Sequence, residues 1–266
     1  RYTLVDESKW AMARGADELD VVLWLHARTG KRELEAFARL LSGQIADWST
    51  FYHRGGDPSK AGCRSHIANF MQGIKAPPLQ WRVNGDPRHR NAYAAAFAPD
   101  GWIMTSYGRP DRMVNGSEPL SSGNPSEATD LCAIAERILS NLVALSTWCD
   151  ASIGDDLETV AYNTLPATLG ADGRGMRYYN ILNLPYCVDG RYGFVNNGEK
   201  VGSLCPGPHS GFGCCRSNFH FAWPKFVQSL WMQTADGGLA ATAYGPCTVT
   251  AVAGGTQVTV EETGSY

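Results

Sequence analysis

Cys214 and Cys215 stand side by side in the segment Gly-Phe-Gly-Cys-Cys-Arg-Ser-Asn-Phe-His. Adjacent cysteines can scarcely bond to each other without distorting the peptide between them. Side by side as thiolates, they can hold a borderline metal such as zinc. A thiolate so activated is also a nucleophile. The competing readings are two buried thiols, or two disulfides to other cysteines. Glu118, in the loop Asn115-Gly116-Ser117-Glu118-Pro119, is a second group with chemical potential. Asp130 and Cys132 are a third. Residues two apart on a regular helix point about 200° from each other, so a shared ligand requires an irregular first turn. Otherwise Asp130 is a carboxylate favoured by a helix N-terminus and Cys132 a packed thiol. His66 precedes the apolar stretch Ile67 to Ile74, and His220 follows the cysteine pair. Tyr178 and Tyr179 lie in an aromatic stretch.

The surrounding pattern is helical and repeats loosely. Three stretches share a form: an apolar helix with tryptophan near its end, a glycine stop, and a second amphipathic helix. They run from Val21 through Gly30 to Leu41, from Leu79 through Gly85 to Phe97, and from Leu145 through Gly154 to Leu165. Leu34, Phe37, Leu40 and Leu41 share one helical face. Asp86-Pro87 is a capping residue followed by proline at the first helical position. Gly30, Gly85 and Gly154 suit short turns between antiparallel helices. A helix is expected to open at Asn124-Pro125-Ser126, with Leu131, Ile134, Ala135, Ile138, Leu142 and Leu145 as its core stripe. Another is expected from about Asn218 to Trp231. Repeated helix pairs at uneven spacing favour a closed toroid with functional loops over a regular solenoid. After Asp236-Gly237-Gly238 the period changes to alternation. Leu239 to Tyr244 reads as a strand, and Thr248–Val252 and Gln257–Val260 as a hairpin about Gly254-Gly255.

Composition excludes little. The chain has 266 residues, 44% apolar and 18% charged, so it can bury a sizeable core. Its net charge of −3 includes no basic tract, which argues against a nucleic-acid partner. No run of about 18 apolar residues is seen, so no membrane-spanning helix is expected. The eight cysteines are too sparse for a small disulfide scaffold and leave the compartment open. Cys63, Cys149, Cys187, Cys205 and Cys247 take no assigned role. The first residue is Arg1 and the alternating pattern stops at Tyr266, so the chain is expected to be part of a longer protein.

Together the motifs resemble glycoside hydrolase family 127, the β-L-arabinofuranosidase family. The likeness runs from Gly211 to Val227, through Leu230-Trp231-Met232 and Asp236–Ala240. It includes Pro125–Cys132, similar to the family's Glu-x-Cys motif, and Ala161–Ala167. The resemblance implies a mainly α fold: an incomplete (α/α)6-type helical toroid over residues 1–235, its later hairpins only, leading into the start of a β-sandwich at 236–266. It implies a retaining glycosidase with Cys214 as nucleophile and zinc ligand and Glu118 as acid/base. Cys215, Cys132 and Asp130 would complete the Zn2+ site, and His66 and Tyr179 would contact the sugar. Asp130 stands where the family has glutamate, shorter by about 1.5 Å of reach. The implied partner is a carbohydrate, a plant-type glycan or glycoprotein sugar, with neither nucleic acid nor membrane. An incomplete ring would expose apolar helix faces, so self-association is expected. The alternative is a noncatalytic, zinc-stabilised carbohydrate-binding or scaffold domain.

Overall fold

Two helical hairpins close on glycine, as their sequences require. The computed structural model describes residues 9–53, 66–98, 129–180 and 213–264. A short α1 (Trp10–Arg14) leads into α2 (Ala16–Thr29), which ends at Gly30 with φ 65°. The Gly30 amide donates to the His26 carbonyl, and α3 (Arg32–Ser42) runs back. After α4 (Trp48–His53) and α5 (Ile67–Gly73) comes α6 (Ala76–Asn84), which ends at Gly85 with φ 69°. The Asp86 carboxylate accepts from the Arg88 amide and starts α7 (Pro87–Phe97). Both glycines sit in the left-handed region, where a side chain would be strained.

The third hairpin departs from expectation. It joins α8 (Leu131–Trp148) to α9 (Ala151–Thr159), and its left-handed residue is Cys149, with φ 52°. Asp150, not Gly154, sets the start of α9, by accepting a hydrogen bond from the Ser152 amide. Gly154 lies inside α9. A Cβ there would be 3.0 Å from the Thr242 carbonyl oxygen, so the glycine allows a close approach instead of a turn. On α3 the buried face comprises Ala38 and Leu41 with Leu34 and Phe37 beside them, whereas Leu40 is exposed.

The core between the hairpins is aromatic. Trp48 is fully buried, stacked on Tyr52 at 5.5 Å and edge-on to Phe51 and Phe70, and its indole nitrogen donates to the Ala13 carbonyl. A Cβ on Gly73 would overlap this indole, so glycine is what lets α5 reach it.

Helix α8 is the centre of the fold. The expected stripe is buried, and so are Ala133 and Ala144 on other faces. It is wrapped by α5, α6, α9 and α10 (Gly213–Gln228). Its length and apolar character would suffice to cross a membrane, which the sequence reading overlooked; 72% of it is buried inside the protein, as befits a core helix. Its polar residues are paired. Ser140 donates to the Met71 carbonyl at 2.8 Å, and Arg137 and Asn141 both meet Asp156.

Helix α10 begins five residues before the expected Asn218 and stops at Gln228, leaving Val227 exposed. Trp231 belongs instead to β3, because the chain turns at Ser229, whose amide bonds the Phe226 carbonyl. The strands pair two by two. β1 (Thr129–Asp130) meets β2 (Tyr179–Asn180), and β3 (Trp231–Gln233) meets β4 (Leu239–Ala241). β4 ends at Ala241; the Thr242 amide still follows its register onto the Leu230 carbonyl, and the Ala243 amide leaves it by sharing that same carbonyl. β5 (Cys247–Ala253) and β6 (Thr256–Glu262) form the expected hairpin, with Val249 opposite Val260. The architecture is therefore mainly α, helical hairpins leading into antiparallel strands.

Candidate metal and thiolate site

Helices α8 and α10 pack together with their N-terminal ends at one place, and the cysteines sit in those first turns. Such ends carry partial positive charge and favour thiolates. The sulfur atoms of Cys132, Cys214 and Cys215 all lie within 4.8 Å of one another, with Cys132 and Cys215 3.6 Å apart. All three are free thiols. Cys132 and Cys215 are buried, packed among Ala68, Leu131, Met176 and Tyr178, while Cys214 is exposed.

Asp130 joins them because it is not helical. It is the N-cap of α8, extended at φ −71° and ψ 130°, and it is held by pairing with Tyr179 across β1 and β2. An N-cap side chain folds back over the first turn, which removes the 200° obstacle of regular helix spacing. One carboxylate oxygen accepts from the Cys132 amide at 2.7 Å and lies 3.9 Å from the Cys215 sulfur. The other, Oδ2, is buried and meets no donor in hydrogen-bonding geometry among the described residues, while the Tyr178 side chain helps hold the carboxylate's charge.

Charge is distributed unevenly over the cluster. Hydrogen bonds from Cys132 and Cys215 pull the Cys214 thiol down to about 3, with the Cys215 amide and His66 adding to the effect. Cys132 moves up, chiefly through its hydrogen bonds to Cys214 and Cys215 and through burial. For Cys215 the hydrogen bond with Cys132 pulls down, but Cys214, burial and Asp130 together push the thiol up. Burial raises Asp130 to about 7, with the Cys132 amide opposing. The exposed sulfur is thus the one that ionises first.

A zinc ion fits this donor set. Zinc–sulfur bonds of about 2.3 Å in a tetrahedron separate the sulfurs by about 3.8 Å, close to the 3.6 Å found. The unbonded Asp130 Oδ2 offers a fourth donor, and thiolate with carboxylate suits zinc.

The other expected residues fall as follows. His66 caps α5, its ring 5.5 Å from that of Trp10, and burial lowers it to about 4 while the Cys214 charge opposes. The Tyr179 backbone pairs with Asp130, whereas the side chain is outside what the structure describes. Glu118, Cys63, Cys187 and Cys205 lie outside the described residues. His220 is exposed on α10, Cys149 is exposed, and Cys247 is half-buried. Tyr178, read from the sequence as a core or groove tyrosine, is buried against the cluster, and its carbonyl accepts from the Leu131 amide at 3.0 Å. No motif in the sequence signals Trp10, whose ring lies beside that of His66.

No family model matches the chain, and no curated protein matches it in sequence. Solved structures do match in fold. One titled glycoside hydrolase aligns with 94% of the chain at a TM-score of 0.61 and 15% identity. A GH127 β-arabinofuranosidase aligns with 98% at 0.61 and 16% identity. A GH127 β-L-arabinofuranosidase from Geobacillus stearothermophilus T6 aligns with 91% at 0.64 and 15% identity. The chain spans 44%, 38% and 42% of these three structures respectively. It has a partial GH127-like fold, in which hairpins of an (α/α)6 toroid lead into a β-sandwich.

Proposed function

We propose that this chain carries the reaction centre of a retaining glycoside hydrolase acting on β-L-arabinofuranosides or a related glycoside. The observation that carries the reading is the single exposed, readily ionised sulfur, Cys214, set against two buried sulfurs and a carboxylate oxygen without a hydrogen bond. The fold shared with glycoside hydrolases supports it.

Retention needs a nucleophile at the anomeric carbon and an acid at the leaving oxygen. The Cys214 thiolate would attack the anomeric carbon, forming a C–S bond as the C–O bond breaks. Glu118 would give its proton to the departing oxygen. Glu118, now a carboxylate, would then take a proton from water as that water attacks the same carbon. The C–S bond breaks and Cys214 returns as thiolate. Zinc held by Asp130, Cys132, Cys214 and Cys215 would supply the positive charge that keeps these sulfurs deprotonated and makes Cys214 a better leaving group. His66 and Tyr179 would orient the sugar. We assign residues 1–235 to the toroid and 236–266 to the β-sandwich; β3 and β4 pair across that junction.

The test is the Glu118→Gln protein incubated with an activated β-L-arabinofuranoside, followed by peptide mass spectrometry. A pentosyl unit on Cys214 is the expected result, with turnover reduced about 10²- to 10⁴-fold. Undiminished turnover would remove Glu118 from its role. Tight zinc binding with neither adduct nor turnover on any glycoside would instead favour the noncatalytic, zinc-stabilised carbohydrate-binding domain.

A further inference from the structure

We infer that Tyr178 is a positioning residue for the metal ligand Asp130: its side chain fixes the carboxylate in the orientation that offers an oxygen to the sulfurs of Cys132, Cys214 and Cys215. The inference rests on the metal reading of this cluster and extends it to a residue outside the donor set.

Asp130 needs such a partner. It is fully buried at the N-cap of α8. The Cys132 amide donates to one carboxylate oxygen at 2.7 Å. The Leu131 amide is spent elsewhere, on the Tyr178 carbonyl at 3.0 Å. Pairing with Tyr179 across β1 and β2 holds the Asp130 backbone, not its side chain. An ionised carboxylate has room for about four hydrogen bonds, so one amide leaves it free to turn. A carboxylate that turns is a poor ligand.

Tyr178 is placed to supply the second hold. The segment that carries it is fixed without help from α8. The Arg177 amide donates to the Thr168 carbonyl at 3.3 Å, Met176 bridges to Leu169, and the Gly170 amide closes the loop on the Gly175 carbonyl at 2.8 Å. The Asn180 side-chain amide donates to the Arg177 carbonyl at 3.3 Å and to the Tyr178 carbonyl at 3.4 Å. From this hairpin Tyr178 enters the packing around Leu131, Cys132 and Cys215, and it is only 6% exposed. Its other neighbours in that packing are Ala68, Met176, Leu169 and Phe219, so Tyr178 alone of the group carries a hydroxyl. A phenol taken this far from water seeks a polar partner. The Asp130 carboxylate lies beside it, and the Tyr178 side chain helps hold that carboxylate's charge against burial. Phenylalanine would fill the same apolar space; the hydroxyl is what packing does not require. Groups that bond a ligating carboxylate orient it and set metal affinity through it.

The test compares wild type, Tyr178→Phe, Asp130→Asn and the double variant in the full-length protein. Two readings are taken: zinc affinity by chelator competition, and the visible absorption of the cobalt-substituted protein, whose bands report ligand geometry. Tyr178→Phe should weaken zinc binding about 10- to 100-fold and shift the cobalt bands. In the Asp130→Asn background the same substitution should change zinc affinity less than about twofold, because a residue acting through a ligand has little to act on once that ligand is weakened. A full effect in that background overturns the inference, since Tyr178 would then act by packing against the cysteines. If Tyr178→Phe does not fold, Tyr178→Met, flexible enough to fill the space, is judged by the same criteria. Should wild type bind neither zinc nor cobalt, the metal reading falls and this inference with it. Binding by wild type that Tyr178→Phe leaves unaltered removes this inference alone.

Discussion

Two of the buried polar clusters on helix α8 lie about one turn apart, and they are built on opposite principles. In the lower one, Lys75 sits between two carboxylates, 2.7 Å from Asp17 and 3.1 Å from Glu136, and Gln72 also donates to Asp17. Burial by itself would lower the Lys75 ammonium, but Glu136 and Asp17 hold it above the usual range. Each carboxylate there meets the cation. The upper cluster, of Asp130, Cys132, Cys214 and Cys215, gathers only groups that donate electron pairs. The lower cluster is closed by its own side chains, whereas the upper one is left electron-rich.

The largest effect should come from Cys214→Ala, which should reduce glycoside turnover by more than about 10⁴-fold, since removing the proposed nucleophile would leave only binding and electrostatics. Its thermal midpoint should hold better than that of the lower cluster's variants, because Cys214 is the exposed member. Lys75→Met should do the reverse. Breaking a buried pair on one side costs about 3–5 kcal/mol, measured by denaturant unfolding, while zinc content by mass spectrometry stays at the wild-type ratio. Loss of zinc in that variant would show the clusters to be one unit and end the contrast. Asp130→Asn keeps the cap but weakens the ligand, so zinc affinity in a chelator competition should fall about 10- to 100-fold.

Two smaller effects lie outside both clusters. Cys149→Gly should stabilise by about 1 kcal/mol, because the left-handed turn strains a side chain and Cys149 is exposed. His89 is buried and bonded to Ser49 at 2.7 Å, and burial, helped by the Arg88 charge, holds it below its usual value. Below about pH 6.5 the unfolded chain takes up a proton that folded His89 refuses, so stability should fall with acidification. His89→Gln should flatten that acid limb of a midpoint-against-pH curve; an unaltered slope would assign the acid sensitivity elsewhere.

These contrasts also explain what could be read in the sequence. The first two hairpins were legible because glycine takes the left-handed position, at Gly30 and Gly85. The third was misread because Cys149 takes it instead, while Gly154 answers to a strand connection far along the chain. The convergence of Asp130 and Cys132 was obscured by assuming a regular helix through both. The cap lies outside the helix because Thr129 and Asp130 pair with a strand about fifty residues away. Lys75 gave no hint of burial, since charged residues default to the surface and only Asp17 and Glu136 together reverse that. Tyr178 reaches the cluster solely through tertiary packing.

The close approach at Gly154 bears on how the protein breathes. The Tyr244 amide donates to Glu158 at 2.6 Å, and the Tyr162 hydroxyl donates to the Tyr244 carbonyl, so the segment after β4 is fastened to α9 and its continuation. Helix α9 is in turn bound to α8 through Asp156. In native-state hydrogen exchange, α8, α9 and the β3–β4 pair should therefore open together as one cooperative unit, whereas the β5–β6 hairpin, whose two strands pair only with each other among the described residues, should exchange far sooner.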